Sequence, residues 1–287
     1  MFGRFLGLNR HELAVYSFPD IYIWKGLFDI YWAIIEDSLC VFFKDRIGCF
    51  LYLPPQSRQL SPQVVTETFR IMDGFNRNKD ISRIENVEEG DLRFYNNLGY
   101  DHRYKSCDYI YQNRQLIQLK GDKFKSKRAS CNYFTGHYSF KYLPFSNKHK
   151  EPCLALYDIW MRERKDRSDD PVYRGMLEDS RDCFKILLNS YSGLGLTGRL
   201  VEVEGEIRGA TFGFPLDRDT FCILYEITDL SFKGLSQFIF RAFCEELESY
   251  RYVNAMDDSG LANLKKVKLS YRPIRTTPAY IVERKNE

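Results

Sequence analysis

Apolar residues in the first half of the chain recur mainly at every second position or in short continuous runs, which are patterns typical of strands. Strand-like runs occupy residues 22–24, 30–35, 39–43, 49–53, 84–87, 109–111 and 116–119. A helix is predicted to begin at Ser61-Pro62, because serine is a favoured N-cap and proline is tolerated at the first helical position. Val65, Phe69 and Met72 then recur at helical spacing and form an apolar face.

The second half has a more regular order of elements. Asp169 and Asp170 precede Pro171 and predict the start of a helix with a 3.6-residue apolar period. Three strands follow at residues 199–204, 206–214 and 220–227, and a tight turn at Gly205 joins the first two. A helix at 234–250, a strand at 252–254, a helix at 261–269 and a strand at 279–282 complete the pattern. The alternation of strands and helices predicts a mixed α/β (α+β) protein.

A polar stretch at residues 143–153 marks the predicted boundary between two halves. It contains Pro144, Asn147, Lys148 and the pair Glu151-Pro152, which are residue types that interrupt regular structure. The 287 residues are enough for two domains, since a single core stops growing at roughly 250–300 residues. The predicted domains are therefore residues 1–145 and 146–287.

Composition favours an ordinary folded protein inside the cell. The net charge of +3 is too small to argue for a nucleic acid or a membrane by itself. The eight cysteines include no C-x-x-C pair and no cysteine–histidine cluster with zinc spacing, so we expect reduced thiols and no metal site. No run approaches the roughly 18 apolar residues that span a bilayer. The sequence therefore predicts a soluble, cytoplasmic protein without a transmembrane segment.

A basic segment occupies residues 120–134. Lys120, Lys123 and Lys127 fall at positions i, i+3 and i+7, so a helix would place them on one face. Phe124 and Phe134 fit the buried face of the same helix. This spacing leaves two interpretations open, a solvated basic helix or a surface that contacts phosphates.

Two motifs resemble those of one protein family. Residues 254–261 read Asn-Ala-Met-Asp-Asp-Ser-Gly-Leu, and residues 265–273 read Lys-Lys-Val-Lys-Leu-Ser-Tyr-Arg-Pro. Together they resemble the closing motif of lysylphosphatidylglycerol synthase C-terminal domains, an N-x-x-x-D-x-G stretch followed by a helix that ends K-x-S-Y-x-P. The basic segment resembles that family's second marker, represented here by Leu119, Gly121, Lys123, Lys127, Arg128, Asn132 and Phe134.

The resemblance implies two tandem GNAT-like domains, with mixed, mostly antiparallel sheets flanked by helices. The order of elements in the second half, a helix, three antiparallel strands, and then helix, strand, helix and strand, is that of a GNAT acyltransferase core. The resemblance also implies kinship with Fem-type transferases, which use aminoacyl-tRNA. The implied activity is transfer of an aminoacyl group, or of another activated acyl group, to an amine or hydroxyl of a lipid, peptide or small molecule.

Acyl transfer needs a base for the nucleophile and a donor that stabilises the oxyanion. The resemblance and the positions of strand ends indicate the catalytic candidates Glu226, Asp257, Asp258, Lys268 and Tyr271. The substrate-binding candidates, with the three cations as phosphate contacts of tRNA or of a phosphorylated substrate, are Lys123, Lys127, Arg128, Asn132 and Asn254. Purely structural roles stay open for three of the catalytic candidates: a helix cap for Asp258, a solvated lysine for Lys268 and core packing for Tyr271.

A loop at residues 231–236 bears on the acyl donor. GNAT enzymes bind the CoA pyrophosphate at the start of a central helix with a Q/R-x-x-G-x-G/A loop, because a helix N-terminus with glycines is an anion site. This chain keeps one glycine there, and the residues that would hold a cofactor are Lys233 and Gly234. The degenerate loop disfavours acetyl-CoA and predicts no cofactor. A CoA-dependent N-acetyltransferase and a non-catalytic GNAT-like binding protein remain the alternatives to an aminoacyltransferase.

Overall fold

A computed structural model describes residues 1–285, which divide into two compact units. Unit 1 comprises Met1–Tyr109, Met256–Lys266 and residues 276–285. Unit 2 comprises Ile110–Ala255 and Val267–Arg275. The predicted boundary between residues 145 and 146 falls inside unit 2, so the compact units have other bounds than the predicted domains.

Unit 1 is a mixed sheet with its strands in the order β1-β2-β3-β4-β11-β5. These strands are β1 (Asp29–Ile35), β2 (Ser38–Lys44), β3 (Cys49–Leu51), β4 (Arg83–Glu88), β5 (Tyr100–Gln112) and β11 (Arg275–Arg284). Strand β5 belongs to unit 1 as far as Tyr109. The pairing is antiparallel between β1 and β2, β2 and β3, and β4 and β11, whereas β3 and β4 are parallel.

Helices cover both faces of the unit 1 sheet. They are α1 (Phe2–Leu6), α2 (Phe18–Ile23), α3 (Pro62–Phe75) and α4 (Leu92–Asn97). Because successive side chains of a strand point to opposite faces, Cys40 and Phe42 of β2 lie in the core cluster with α3, while Val41 and Phe43 lie in the cluster with α1 and α2. The predicted start of α3 is confirmed, since Ser61 Oγ accepts a hydrogen bond from the Val64 amide.

Unit 2 has its strands in the order β5-β10-β9-β8-β7-β6. The strands beyond β5 are β6 (Phe140–Pro144), β7 (Thr197–Val203), β8 (Glu206–Pro215), β9 (Thr220–Thr228) and β10 (Tyr252–Asn254). The β9–β10 pair is parallel, and the β5–β10, β8–β9, β7–β8 and β6–β7 pairs are antiparallel. The helices are α5 (Asn113–Gln118), α6 (Lys125–His137), α7 (Lys150–Lys165), α8 (Pro171–Ser190), α9 (Leu235–Glu246) and α10 (Ala262–Ser270), the last of which begins in unit 1 and ends in unit 2.

The two faces of β8 and β9 differ in chemistry. On one face, the Phe184 ring of α8 lies 5.6 Å from the Phe212 ring and 5.1 Å from the Tyr225 ring. On the other face, Gly209 of β8 lies beneath α9, where a Cβ atom would be 3.2 Å from Ile239. The side chain of Thr211, two positions further along β8, shares this second face, as does Glu226, which is opposite Thr211 on β9. This face therefore carries polar residues of both strands, and the candidate site lies there.

Two of the predicted strands are helical. Residues 22–24 fall in α2 and in the turn after it, because Ser17 caps this helix through the Asp20 amide and a proline follows in the first turn. Residues 116–119 lie in and just after α5, which ends where Leu119 adopts φ 46°. In both cases a short apolar run is compatible with a strand or with a helix, and the local caps decide the outcome.

The predicted boundary segment is regular structure. Its first residues belong to β6, and α7 begins at Lys150. Pro152 does not interrupt α7, because proline is tolerated in the first helical turn, where the amide needs no partner within the helix. The polar composition of residues 143–153 therefore reflects a strand end and a helix start.

Within the described part of the chain, no helix combines the length and the apolar character needed to cross a bilayer. No group of three or more histidine, cysteine or acidic side chains there has an arrangement that could hold a metal ion. All eight cysteines are free thiols.

Candidate functional site

The pairing of strands β9 and β10 ends at the place where the order of elements in a GNAT core would locate a cleft. Their parallel pairing joins Thr220–Cys222 to Tyr252–Asn254. Strand β9 continues to Thr228, whereas β10 ends at Asn254 and the chain turns at Met256, which has φ 58°. The last part of β9 therefore extends beyond its pairing with β10.

Glu226 lies on this last part of β9, on the same face as α9. The side chain is partly buried, and its Oε2 atom is buried with no hydrogen-bond partner among the described residues. Burial raises the pKa of Glu226 to about 8, although the charges of Lys268 and Lys127 oppose the shift. A carboxyl group with a pKa near neutrality and a free oxygen is suited to accept or return a proton at physiological pH.

Two lysines bring positive charge to Glu226. Lys268 extends from α10, and its Nζ donates a 2.5 Å hydrogen bond to the Ala255 carbonyl, just past the end of β10. Lys127 extends from α6, and burial lowers its pKa. Both cations come from elements other than β9, so the site depends on how β9, α6 and the end of α10 pack within unit 2.

Aromatic side chains form the apolar wall of the same region. The Lys127 ammonium lies 4.1 Å from the centroid of the Tyr271 ring, a cation–π contact. The Tyr271 ring packs 4.8 Å from the ring of Phe240 on α9, and burial raises its pKa. Tyr111 Oη donates a 2.9 Å hydrogen bond to the Lys268 carbonyl and holds the end of α10. Glu226, Lys127, Lys268 and Tyr271 are thus brought together.

Thr211 is a polar neighbour that sequence reasoning missed. It is directly opposite Glu226 in the β8–β9 pairing, so the two side chains project from the same face. Thr211 is fully buried, and its Oγ1 has no hydrogen-bond partner among the described residues. A buried unpaired hydroxyl costs about 1–3 kcal/mol. The one sign of this residue in the sequence is a polar threonine at an inward-facing position of the predicted strand at residues 206–214.

Several polar groups in and next to the loop before α9 are bonded within the protein. Gly234 has φ 88°, and a Cβ atom there would lie 2.1 Å from the Ser130 carbonyl oxygen of α6. Buried Asp229 accepts hydrogen bonds from the Ser231 amide and hydroxyl and pairs with Arg208 at 3.0 Å. The retained glycine thus permits a close helix contact, and the Asp229 carboxylate just before the loop accepts from Ser231, a residue that a pyrophosphate would need as a donor. Exposed Lys233 stacks on the Tyr133 ring at 4.5 Å.

The predicted phosphate contacts do not share one face. Lys123 precedes α6 and is exposed, with its Nζ 3.5 Å from Gln115 Oε1. Lys127 points to Tyr271. Arg128 donates hydrogen bonds to the Leu119 and Gly121 carbonyls and so fixes the loop before the helix. Among these three cations, Lys123 is the one placed to meet a ligand from solvent, and the exposed Asn132 lies further along α6.

The two predicted catalytic aspartates belong to unit 1 and support the turn after β10. Asp258 accepts a 2.5 Å hydrogen bond from Tyr109 Oη and a 3.0 Å bond from the Gly260 amide. Asp257 accepts a 3.1 Å bond from the Ser259 amide. Asp258 therefore forms a turn before α10, and its catalytic role stays a prediction. Asn254 is fully buried at the end of β10.

Comparison with known proteins gives one family match. The family model described as phosphatidylglycerol lysyltransferase, C-terminal, matches residues 9–283. No curated protein matches the sequence.

Solved structures share the fold. A conserved protein of unknown function from Bacteroides thetaiotaomicron is 26% identical, with a TM-score of 0.87 over 99% of this chain and 95% of that chain. L-PGS from Bacillus licheniformis is 17% identical, with a TM-score of 0.69 over 99% and 91%. FemX is 10% identical, with a TM-score of 0.62 over 96% and 94%. Together with a tandem GNAT protein of the clavulanic acid pathway at a TM-score of 0.50, they confirm the predicted GNAT-like, mixed α/β fold.

Proposed function

Because the chain belongs to the family of phosphatidylglycerol lysyltransferase C-terminal domains, we propose that it is an aminoacyltransferase that takes its aminoacyl group from aminoacyl-tRNA. The acceptor is an amine or hydroxyl of a lipid, peptide or small molecule. The observation that carries the proposal is the buried Glu226 oxygen, which has no hydrogen-bond partner among the described residues, lies beyond the pairing of β9 and β10 and is influenced by the charges of two lysines. A binding protein without chemistry gains nothing from a carboxyl group held in this costly state.

In the proposed step, Glu226 removes a proton from the acceptor as its nitrogen or oxygen bonds to the ester carbonyl carbon of the aminoacyl group. Lys127 and Lys268 stabilise the negative charge that develops on the carbonyl oxygen. The bond between that carbon and the ribose oxygen of tRNA then breaks, and the ribose oxygen receives the proton from Glu226. Tyr271 is the alternative proton donor, because its raised pKa keeps the hydroxyl protonated.

Binding of charged tRNA tests the donor. Lys123→Ala is expected to reduce the slope of log affinity against log salt by roughly 0.7–0.9, the value for one lost phosphate contact. Lys148→Ala, on the turn before α7, is a matched control and should leave the slope unchanged. Filter binding over several salt concentrations measures both. No binding by the wild type, or equal slopes in all three proteins, would contradict a tRNA donor.

Acetyl-CoA is expected to bind weakly or not at all. Ser231 of the loop that would have to hold its pyrophosphate already donates to Asp229, and Gly234 of the same loop packs closely against α6. Calorimetric titration measures the affinity directly. Micromolar binding together with acetylation of an amine would replace the proposed donor with CoA and would identify Lys233 and Gly234 as cofactor contacts.

A further inference from the structure

Strand β1 lies at the end of the unit 1 strand order, with β2 on one side. It carries three exposed large apolar side chains, since 47% of Tyr31, 51% of Trp32 and 42% of Ile34 remain accessible. Phe2 packs against Trp32 at 6.2 Å on one face of the strand, and Phe75 stacks on Tyr31 at 6.0 Å on the other. The edge therefore has aromatic rings on both faces.

The backbone of β1 points hydrogen-bonding groups to its outer side, where no other strand of the described residues pairs with it. In β2, the Leu39 amide and carbonyl bond to Gln56, and the Val41 carbonyl accepts the Tyr52 amide, so these groups point away from β1. In an antiparallel pair the residues opposite such positions also point their groups away. Those residues are Ile34 and Trp32. Because this direction recurs at every second residue of a strand, the backbone groups of Ile30 also point away from β2.

Proteins usually protect exposed strand edges with lysine, proline, bulges or short length. The end strand of unit 2 follows this rule, because β6 has five residues, ends at Pro144 and carries Lys141 paired with Glu202 at 2.6 Å. Strand β1 has seven residues, no lysine or proline, and an uninterrupted register with β2. Such an edge is a template for a further strand.

We propose that β1 pairs antiparallel with β1 of a second copy of this chain, around a two-fold axis at Trp32. Trp32 is the central residue of the strand and points its backbone groups outward, so this register alone pairs all seven residues. It places Trp32 opposite the partner's Trp32, and Ile30 opposite the partner's Ile34. A shift of the axis to Ile34 would bring Trp32 opposite the partner's Glu36.

The side chains suit a copy of the same strand. Bulky Tyr31 meets the partner's small Ala33, and Asp29 meets the partner's Ile35, so no two like charges face each other in the pairing. Asp29 is itself 3.9 Å from Lys44 of its own unit. A self-complementary register of this kind is what a two-fold, isologous interface requires.

Sedimentation of the wild type over a wide concentration range is expected to show a dimer. Trp32→Lys should abolish it, because two lysines would meet at the axis. Ile47→Lys, which replaces a 71% exposed apolar residue of the β2–β3 turn, is the matched control and should leave the dimer intact. A monomer at every concentration, or a dimer that Trp32→Lys does not change, would overturn the proposal.

Cysteine cross-linking tests the register in a Cys107→Ser background, which removes the one thiol that is not buried. Trp32→Cys should form a covalent dimer, because opposed Cα atoms in a hydrogen-bonded pair are about 5.5 Å apart. Ile34→Cys should not, since two such residues would be roughly 13 Å apart along the strands. Equal cross-linking of both variants would overturn the register. Binding of a monomer to phosphatidylglycerol vesicles that is lost in Trp32→Lys would assign this edge to a membrane instead.

Discussion

Glu226→Gln is expected to lower the rate of aminoacyl transfer about 10²- to 10⁴-fold, the usual contribution of a positioned general base. Glutamine keeps the shape of the side chain but cannot take a proton. The rate of loss of labelled amino acid from charged tRNA, with phosphatidylglycerol vesicles or a primary amine as acceptor, measures the effect. Glu248→Gln, an exposed glutamate after α9, should retain the wild-type rate. Full activity of Glu226→Gln would exclude Glu226 as the base.

The same substitution should not unfold the protein, because the buried carboxyl group is largely neutral at pH 7. Its pKa of about 8 lies above the unfolded value of 4.5, so the unfolded chain releases this proton first. The contribution of Glu226 to stability is therefore full below about pH 4.5 and is lost as the pH rises toward 8, with a slope of up to about 1.4 kcal/mol per pH unit. Glu226→Gln should lack this slope.

Activity should show the opposite trend with pH. The wild-type rate is expected to rise as Glu226 loses its proton near pH 8, and this rising limb should be absent from the residual rate of the glutamine variant. Denaturant titrations at several pH values supply the stability control. If Glu226→Gln is active but lacks the stability slope, Glu226 has a structural role and is not the base. If the variant is inactive and also unfolded, its loss of activity has a structural cause.

The sequence predicted the fold correctly where the apolar periodicity, the helix caps and the turn residues all indicated the same elements. The three strands at 199–204, 206–214 and 220–227 and the helices on either side are present with small changes in their ends. It was insufficient at residues 22–24 and 116–119, where an apolar run too short to show a period folds as helix. The polar segment at 143–153 contains a strand end and a helix start, because prolines and polar residues also occur at the first turn of a helix.

The site was only partly predictable because its members come from distant positions in the chain. Glu226, Lys127, Lys268 and Tyr271 were each indicated by a motif or a strand end, but no pattern in the sequence says that α6 brings Lys127 to Tyr271. Thr211 could not be found in this way, since its importance depends on pairing with Glu226 across two strands. Three-dimensional packing creates this cluster, and Gly234 permits the close approach of α6 to the start of α9.

Gly234→Ala is expected to destabilise the protein by about 2–5 kcal/mol. A residue with a side chain pays about 1–2 kcal/mol for φ 88°, and overpacking costs a further 1–3 kcal/mol. The new methyl group would lie 2.1 Å from the Ser130 carbonyl oxygen and 3.2 Å from Phe134 Cβ, so α6 would have to move. Chemical denaturation measures the change in the free energy of unfolding.

Gly205→Ala is the matched control, because Gly205 has φ 82° and no atom within 4 Å of the position of a Cβ. It should show the backbone cost alone, so the difference between the two variants isolates the contact between α6 and the start of α9. A displaced α6 would also carry Lys127 away from Tyr271, so transfer should slow in Gly234→Ala and stay normal in Gly205→Ala. Equal stability of the two variants would contradict the close contact. A loss of cofactor binding without a loss of stability would give Gly234 the anion-binding role that its position in the loop first suggested.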